Sequence, residues 1–393
     1  MAVFGIVSEF NPFHYGHEYL ISCAKEMGAD TVVCVMSGNS TQRGELAIID
    51  KYLRAEACVC GGADLVLELP FPWSSASAEG FASAAIYLLS SFCDTVIFGS
   101  ECGDIDILRR VAEFTAGNGF KERYADMLSA GHQSALAYIS LIEDQFGIVL
   151  SSNDLLGVEY IKAAKRLSLD LDFITVKREG SAYLEKEVKD GGFDSAMAIR
   201  NSLFEENFAE LLSGRLPKRS FQLLCEAKES GEIVDATKYG DLARGYFRLF
   251  EISEGDSFAE CEGGVLERIC RVAHESSSCD EFWEMLSTKR YTDAKLRRAV
   301  LFSMCGVKKG DLLALPSYTY LLGANPLGRE LLSATRRKDT ITIITKPADA
   351  TELSFSGEAR QRNLDLKLAS IYNLCLATAA PTGESMRKKP YIT

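Results

Sequence analysis

Apolar residues in the first half of the chain come in short unbroken runs rather than in alternation. "AVFGIVSEF" (2–10), "TVVCVM" (31–36), "ADLVLEL" (63–69), "DTVIFGS" (94–100) and "DFITVKREG" (172–180) each have the length and β-branched content of a strand. Between them lie longer stretches with apolar residues at helical spacing, at 18–27, 50–60, 77–92 and "SSNDLLGVEYIKAAKRL" (151–167). Strands that are apolar throughout and separated by helices predict a parallel sheet covered on both faces. Ligands of such sheets bind beyond the carboxyl ends of the strands. The loops after strands one, two, four and five therefore surround the expected crevice: "NPFHYGH", "SGNSTQRGE", "GSECGD" and "KREG".

Past residue 200 the pattern turns helical, in "NSLFEENFAELL", "SFQLLCEAKE", "DLARGYFRLFEI", "GVLERICRVA" and "AKLRRAVLFSM". One β-rich run, "DTITIITK" (339–346), precedes a closing helix near 362–378, and the tail "RKKPYIT" reads as a mobile, solvated end. The expectation is an α/β first domain over 1–200 and a mainly α-helical second domain over 201–393. A chain of 393 residues suits two domains.

Composition narrows the class. With 47% hydrophobic and 25% charged residues the chain is an ordinary globular one. It shows neither a bilayer-spanning run nor a signal-peptide start, so a cytoplasmic address with no membrane partner is expected. Twelve cysteines without a CxxC pair, and none at ligand spacing from a histidine, read as reduced packed thiols rather than a metal site. Net charge is −12, but residues 1–200 hold 16 Lys and Arg against 28 Asp and Glu, leaving 27 of each sign beyond. An acidic total argues against a nonspecific nucleic-acid coat but not against a specific RNA contact through one face, and the neutral second half leaves room for local basic patches.

Half of the chain's four histidines, His14 and His17, stand in the turn after the first strand. HxGH opening a helix resembles the signature of the nucleotidyltransferase superfamily, whose imidazoles and helix terminus meet the phosphates of ATP. The physical case is that free amides and the helix dipole favour an anion there, and that histidine donors stabilise charge building on the α-phosphate. Gly16 would let a nucleotide approach the backbone, and Asn11 and Pro12 would fix the turn. A histidine that merely caps a helix is the plain alternative. "SAMAIR", from Ser195 to Arg200, resembles the superfamily's S-x-T-x-I-R element, with Met197 in place of threonine; a serine N-cap followed by a solvated arginine is the alternative there.

Together with "VMSGNSTQRGE", "IFGSECGDI", "SNDLLGVEYIKA", "TKRYTDAKLRRAVL", "YLLGANPLGRELL" and "TIITKPAD", these elements make the chain similar to the bacterial tRNA(Met) cytidine acetate ligase family over nearly its whole length. The resemblance implies a Rossmann-like nucleotidyltransferase domain and an ATP-dependent, AMP-forming ligase. Such an enzyme activates acetate as acetyl-adenylate and acetylates N4 of the wobble cytidine in elongator tRNA(Met). It also implies an ATP site made of Val7, Ser8, Glu9, Phe10, Asn11, Pro12, Phe13, His14, Tyr15, Gly16, His17, Glu18, Tyr19 and Leu20, with Gly99, Asn153, Arg178 and Ser195. His14, His17 and Arg200 would carry the catalysis, with Mg²⁺ accompanying ATP and no dedicated metal cluster.

Tyr15 and Leu46, the latter where "QRGEP" has proline, are further small departures from the family pattern. For RNA the best patch is Lys289, Arg290, Tyr291, Arg297 and Arg298, beside Lys295; Arg329, Arg336, Arg337 and Lys338 form a second. A salt-bridged helix face explains any one of these arginines equally well. No protein partner is indicated. A small-molecule adenylyltransferase, an acetate ligase with a non-RNA acceptor and a non-catalytic nucleotide-binding regulator are the competing functions.

Overall fold

The computed structural model describes residues 1–178, 194–253, 257–335, 341–352 and 356–393. The first half runs β1 (Val3–Ser8), α1 (Tyr15–Glu26), β2 (Thr31–Ser37), α2 (Lys51–Cys60), β3 (Leu65–Leu69), α3 (Ala78–Leu89), β4 (Thr95–Ser100), α4 (Ile105–Ala116), α5 (Asn118–Ser129), α6 (Ser134–Phe146), α7 (Ser152–Leu167) and β5 (Asp172–Lys177). It continues through α8 (Ala196–Ser202), α9 (Phe208–Leu212), α10 (Lys218–Ser230), α11 (Ala236–Leu249), α12 (Val265–Glu275), α13 (Cys279–Leu286), α14 (Asp293–Cys305) and α15 (Lys309–Leu313). The chain closes with β6 (Tyr318–Ala324), α16 (Pro326–Thr335), β7 (Thr342–Ile344), α17 (Ser356–Leu374) and β8 (Tyr391–Ile392).

All five expected strands form, in the order β5-β4-β1-β2-β3, and pair in parallel. Their unbroken apolar runs follow from burial on both faces. One face packs α3, α4 and α7 around Phe81, Ile86, Leu108 and Val158; the other packs α1 and α2 around Ile21, Tyr52 and Ala55. The chain leaves β1 toward β2 on one side and later reaches β4 on the other. The carboxyl end of β1 is thus a topological switch point, where open α/β sheets place their ligands.

The sheet does not stop at residue 200. β6 pairs antiparallel with β3, and β7 and β8 pair with β6, giving eight strands among the described residues. A cut at 200 therefore runs through the sheet, although the helices between β5 and β6 do form their own core around Phe247, Ile269, Phe282 and Phe302. The tail also departs from expectation. Tyr391 and Ile392 pair with Gly323 and Ala324, and Lys388 forms an ion pair with Glu232, so the end is docked rather than solvated. All twelve cysteines are free, seven of them buried.

Candidate active site

The turn after β1 is built around Asn11. Its side-chain Oδ1 accepts from the Ile48 amide at 2.8 Å, and its carbonyl accepts from the Arg200 guanidinium at 2.7 Å. Arg200 is thus held against the histidine turn, which the solvated-face alternative does not anticipate. Ser195, in the same hexapeptide, caps α8 by accepting from the Ala198 amide at 3.1 Å. Phe10 has a φ of +45°, a left-handed backbone that is uncommon outside glycine and concentrates at functional sites. Its buried ring lies edge-on to His17, with centroids 4.8 Å apart.

His14 and His17 form a reciprocal cap on α1. His14 Nδ1 accepts from the Gly16 amide at 3.1 Å, and His17 Nδ1 accepts from the His14 amide at 3.2 Å. The rings stack at 3.7 Å. A neutral imidazole whose Nδ1 accepts carries its proton on Nε2, so each ring can offer one Nε2–H donor to the space it lines. Both stay neutral. Burial lowers the His14 pKa to about 3, helped by Arg178 and Arg200, and burial followed by His14 itself pushes His17 well below its ordinary value.

The turn does not present the free first-turn amides expected of it. The amides of Gly16, His17 and Glu18 are already bonded to His14, so the imidazoles rather than bare first-turn amides are what α1 presents. Capping and anion recognition are therefore not rival roles for His14, because one nitrogen serves each. Glycine at 16 makes room for the His14 ring, since a Cβ would stand 3.0 Å from its Cε1.

Beneath the turn, the fully buried Arg54 donates to the carbonyls of Ile49 (3.1 Å), Glu9 (2.6 Å), Ser37 (3.0 Å) and Gly38. It ties the ends of β1 and β2 together. The "SGNSTQRGE" segment is consequently a packed, ordered loop. Asn39 bonds Asp50 at 3.0 Å, and the Gln42 amide donates to Glu9 Oε1 at 2.8 Å. Across the crevice Glu101 accepts from Asn153 Nδ2 at 2.7 Å and from the Ser151 hydroxyl, and pairs with Arg178 Nε at 3.4 Å. Arg178 also covers Gly99, where a Cβ would meet its Cγ at 3.1 Å.

These elements enclose a cleft of ≈1040 Å³. Val7, Ser8, Glu9, Phe10, Asn11, His14, His17, Leu20, Gly99, Asn153, Arg178, Ser195 and Arg200 all line it. Pro12, Phe13, Tyr15, Gly16, Glu18 and Tyr19 do not; Phe13 is buried beneath the turn and Tyr19 is exposed. Sequence reasoning missed the Gln133–Ala135 segment at the start of α6, Tyr160 on α7, Glu260, and the bridging role of Glu101. A serine or acid at a strand or helix terminus is too common to have singled them out.

The basic patch divides. Arg290, Tyr291, Lys295 and Arg298 line the cleft, whereas Lys289 and Arg297 lie outside it. Arg298 is buried, pairs with Glu260 at 3.2 Å and donates to the Gln42 carbonyl at 3.4 Å. Its charge is spent inside the protein. Arg297 faces Glu45 at 3.8 Å and lies over the Trp283 ring. In the second patch Arg329 is exposed, and Arg336, Arg337 and Lys338 lie outside the described residues. Among the described residues no group of three or more His, Cys, Asp or Glu side chains could hold a metal ion, and no helix is long and apolar enough to cross a membrane.

Residues 1–387 match the HIGH Nucleotidyl Transferase family. The tRNA(Met) cytidine acetate ligase of Acetivibrio thermocellus is 32% identical over 403 residues, spanning 97% of this chain and 96% of that protein. The chain belongs to the tRNA(Met) cytidine acetate ligase family. The family member from Thermotoga maritima is 33% identical over 93% of this chain and 94% of its own length. Crystal structures of Thermotoga maritima TmcAL superpose with TM-scores of 0.92 for the apo form and 0.89 for a form bound with alpha-thio ATP, each at 31% identity and covering 100% of this chain and 99% of the other. The fold is accordingly that of a Rossmann-like nucleotidyltransferase, and this family's ligase chemistry is ATP-dependent and AMP-forming.

Proposed function

We propose that the protein joins acetate to N4 of the wobble cytidine of elongator tRNA(Met), in the cytoplasm where that tRNA serves translation. The observation that carries this reading is the convergence of two neutral imidazoles, Arg178 and Arg200 on one cleft at the switch point of the sheet. ATP would lie along the floor from Val7 to Leu20, with Gly99 and Asn153 beside the nucleoside and Arg178, Ser195 and Arg200 near the phosphates. Attack of acetate on the α-phosphorus gives acetyl-adenylate and releases pyrophosphate. Hydrogen bonds from Nε2 of His14 and His17 strengthen as charge accumulates on the α-phosphoryl oxygens, and Arg200 neutralises the departing pyrophosphate. Neutral donors suit this role because they give a hydrogen bond without costing a buried charge.

Among the described residues no cluster of three or more His, Cys, Asp or Glu side chains fits Mg²⁺, so the ion would arrive with the triphosphate and screen its charge. Residues beyond 200 would carry the tRNA, through Arg290, Tyr291 and Lys295 at the cleft mouth and Lys289 and Arg297 nearby. The cytidine must leave its stack to reach the anhydride, and the amine then displaces AMP.

Acetate-dependent exchange of labelled pyrophosphate into ATP tests the first step, and acetyl transfer to purified tRNAs tests the second. Exchange should require acetate, stop with excess chelator, and lead to acetylated tRNA(Met). Exchange without acetate, or transfer to a thiol or small molecule but not to tRNA(Met), would overturn the proposal in favour of another adenylyltransferase or ligase.

A further inference from the structure

Acetyl transfer needs a group that the imidazoles do not supply. The exocyclic amine of cytosine is conjugated with its ring and becomes nucleophilic as it loses a proton, so a base must stand beside it. His14 and His17 point their lone pairs at backbone amides. Among the described residues three carboxylates line the cleft: Glu9, Glu260 and Asp293. Glu260 is taken up by cations on both oxygens, Oε1 by Arg298 at 3.2 Å and Oε2 by Lys295 at 3.6 Å. Asp293 stands exposed at the start of α14 and accepts from the Ser287 hydroxyl at 2.8 Å. Glu9 differs from both. Arg54 fixes its carbonyl and the Gln42 amide holds its Oε1, while among the described residues Oε2 has no hydrogen-bond or ion-pair partner.

We propose that Glu9 is the proton acceptor of the acetyl-transfer step, receiving N4–H of the cytidine on its open carboxylate oxygen. The inference rests on the RNA-acetylating reading above. The N4 lone pair forms the bond to the acetyl carbon, and the carbon–oxygen bond to the adenylate phosphate breaks with its electron pair leaving on AMP. The N4 proton passes to Glu9 and then to solvent. A carboxylate acceptor also reads the base, because cytosine presents an amino donor where uracil presents a carbonyl. The groups facing Glu9 are Arg200 from α8, Arg43 and Glu45 from the loop after β2, Arg54 from α2 and Tyr160 from α7. Burial raises the Glu9 pKa, and the Gln42 amide, Arg200 and Arg43 pull it partly back. The direction suits a base working nearer neutral pH.

Glu9→Gln keeps an oxygen for the Gln42 amide and removes the base. With preformed acetyl-adenylate supplied to enzyme and tRNA(Met), transfer is read without the first step. Single-turnover transfer should fall about 100-fold or more in the variant, well beyond any fall in acetate-dependent exchange. In the parent the transfer rate should rise with pH to a plateau, and in the variant that rise should be absent. An equal fall in both steps with the pH rise retained, or transfer at the parent rate, overturns the proposal. So does a loss on Asp293→Asn that Glu9→Gln does not show. Failure of the parent itself to transfer from acetyl-adenylate to tRNA(Met) would instead remove the functional reading beneath it.

Discussion

Acidification should destabilise the folded protein through His14 in a way that a single substitution can isolate. The imidazole is buried and neutral, with its pKa lowered from an ordinary 6.5 to about 3. Below 6.5 the unfolded chain takes up a proton that the folded chain refuses, so stability present above that pH is lost as pH falls toward 3. Each unit of pH in that window costs about 1.4 kcal/mol, which makes the His14 contribution about 2 kcal/mol at pH 5 relative to pH 8. His17 acts in the same direction, and Glu9 acts in the opposite one because its pKa is raised.

A difference measurement separates these terms. Asparagine at 14 still supplies a side-chain oxygen to cap α1, but it cannot titrate. Urea denaturation of the parent and His14→Asn at pH 8 and pH 5 should show the parent losing about 2 kcal/mol more than the variant. Removing His14 also relieves one of the causes that depresses His17, which widens the gap further. Long-range ¹H–¹⁵N spectra should place the proton of both rings on Nε2, with His14 shifts constant across that range. Parallel stability curves, or a His14 signal titrating near 6.5, would refute the neutral-donor account of the site.

Arg54→Met should cost about 3 kcal/mol or more in thermal or urea unfolding, because it strands four backbone acceptors. Arg54→Lys should recover only part of that, lacking the fork that reaches all four. Arg298→Ala should lower stability by about 1–3 kcal/mol by stripping one of two cations from half-buried Glu260, whereas Arg290→Ala should leave stability alone and reduce the salt slope of tRNA binding by about one; filter binding across a salt series distinguishes them. Gly44→Ala places a Cβ 2.5 Å from the Arg298 amide at a φ of +76°. It should push the loop after β2 away from α14, and transfer should fall further than acetate-dependent pyrophosphate exchange; equal effects would count against that packing.

The parts of the site that were legible in the sequence are those made by neighbours in the chain. Asn11, His14 and His17 belong to one strand–turn–helix unit, and their roles follow from its local geometry. Gly99 lies at the carboxyl end of β4 and Arg178 just after β5; the family resemblance named both, and the strand-end rule only placed their segments at the crevice. What stayed hidden depends on distant pairing. β6 reads as "TYLLGA" inside a helical region, and nothing local says that it will pair antiparallel with β3 some 250 residues earlier. Arg54 looks like any arginine on an amphipathic helix until the ends of β1 and β2 close over it. Arg298 misled for the matching reason. A basic pattern records charge, while burial beside Glu260 decides whether that charge faces RNA or the protein.

The same long-range contacts explain why two chemical steps can share one cleft. The floor comes from the turn after β1, the end of β4, the start of α7 and Arg178 after β5, and the opposite rim from α14 and the residues just before it. Between them the loop after β2 is bonded in both directions: its Gln42 amide donates to Glu9, and its Gln42 carbonyl accepts from Arg298. An adenylate made on the floor then lies within the walls that would admit the cytidine, and a reactive anhydride need not cross solvent to meet its acceptor. The boundary near residue 200 separates kinds of secondary structure. In the proposed function the chemistry would be divided differently, with the acid activated on the sheet side and the amine delivered from the helical side of a single enclosure.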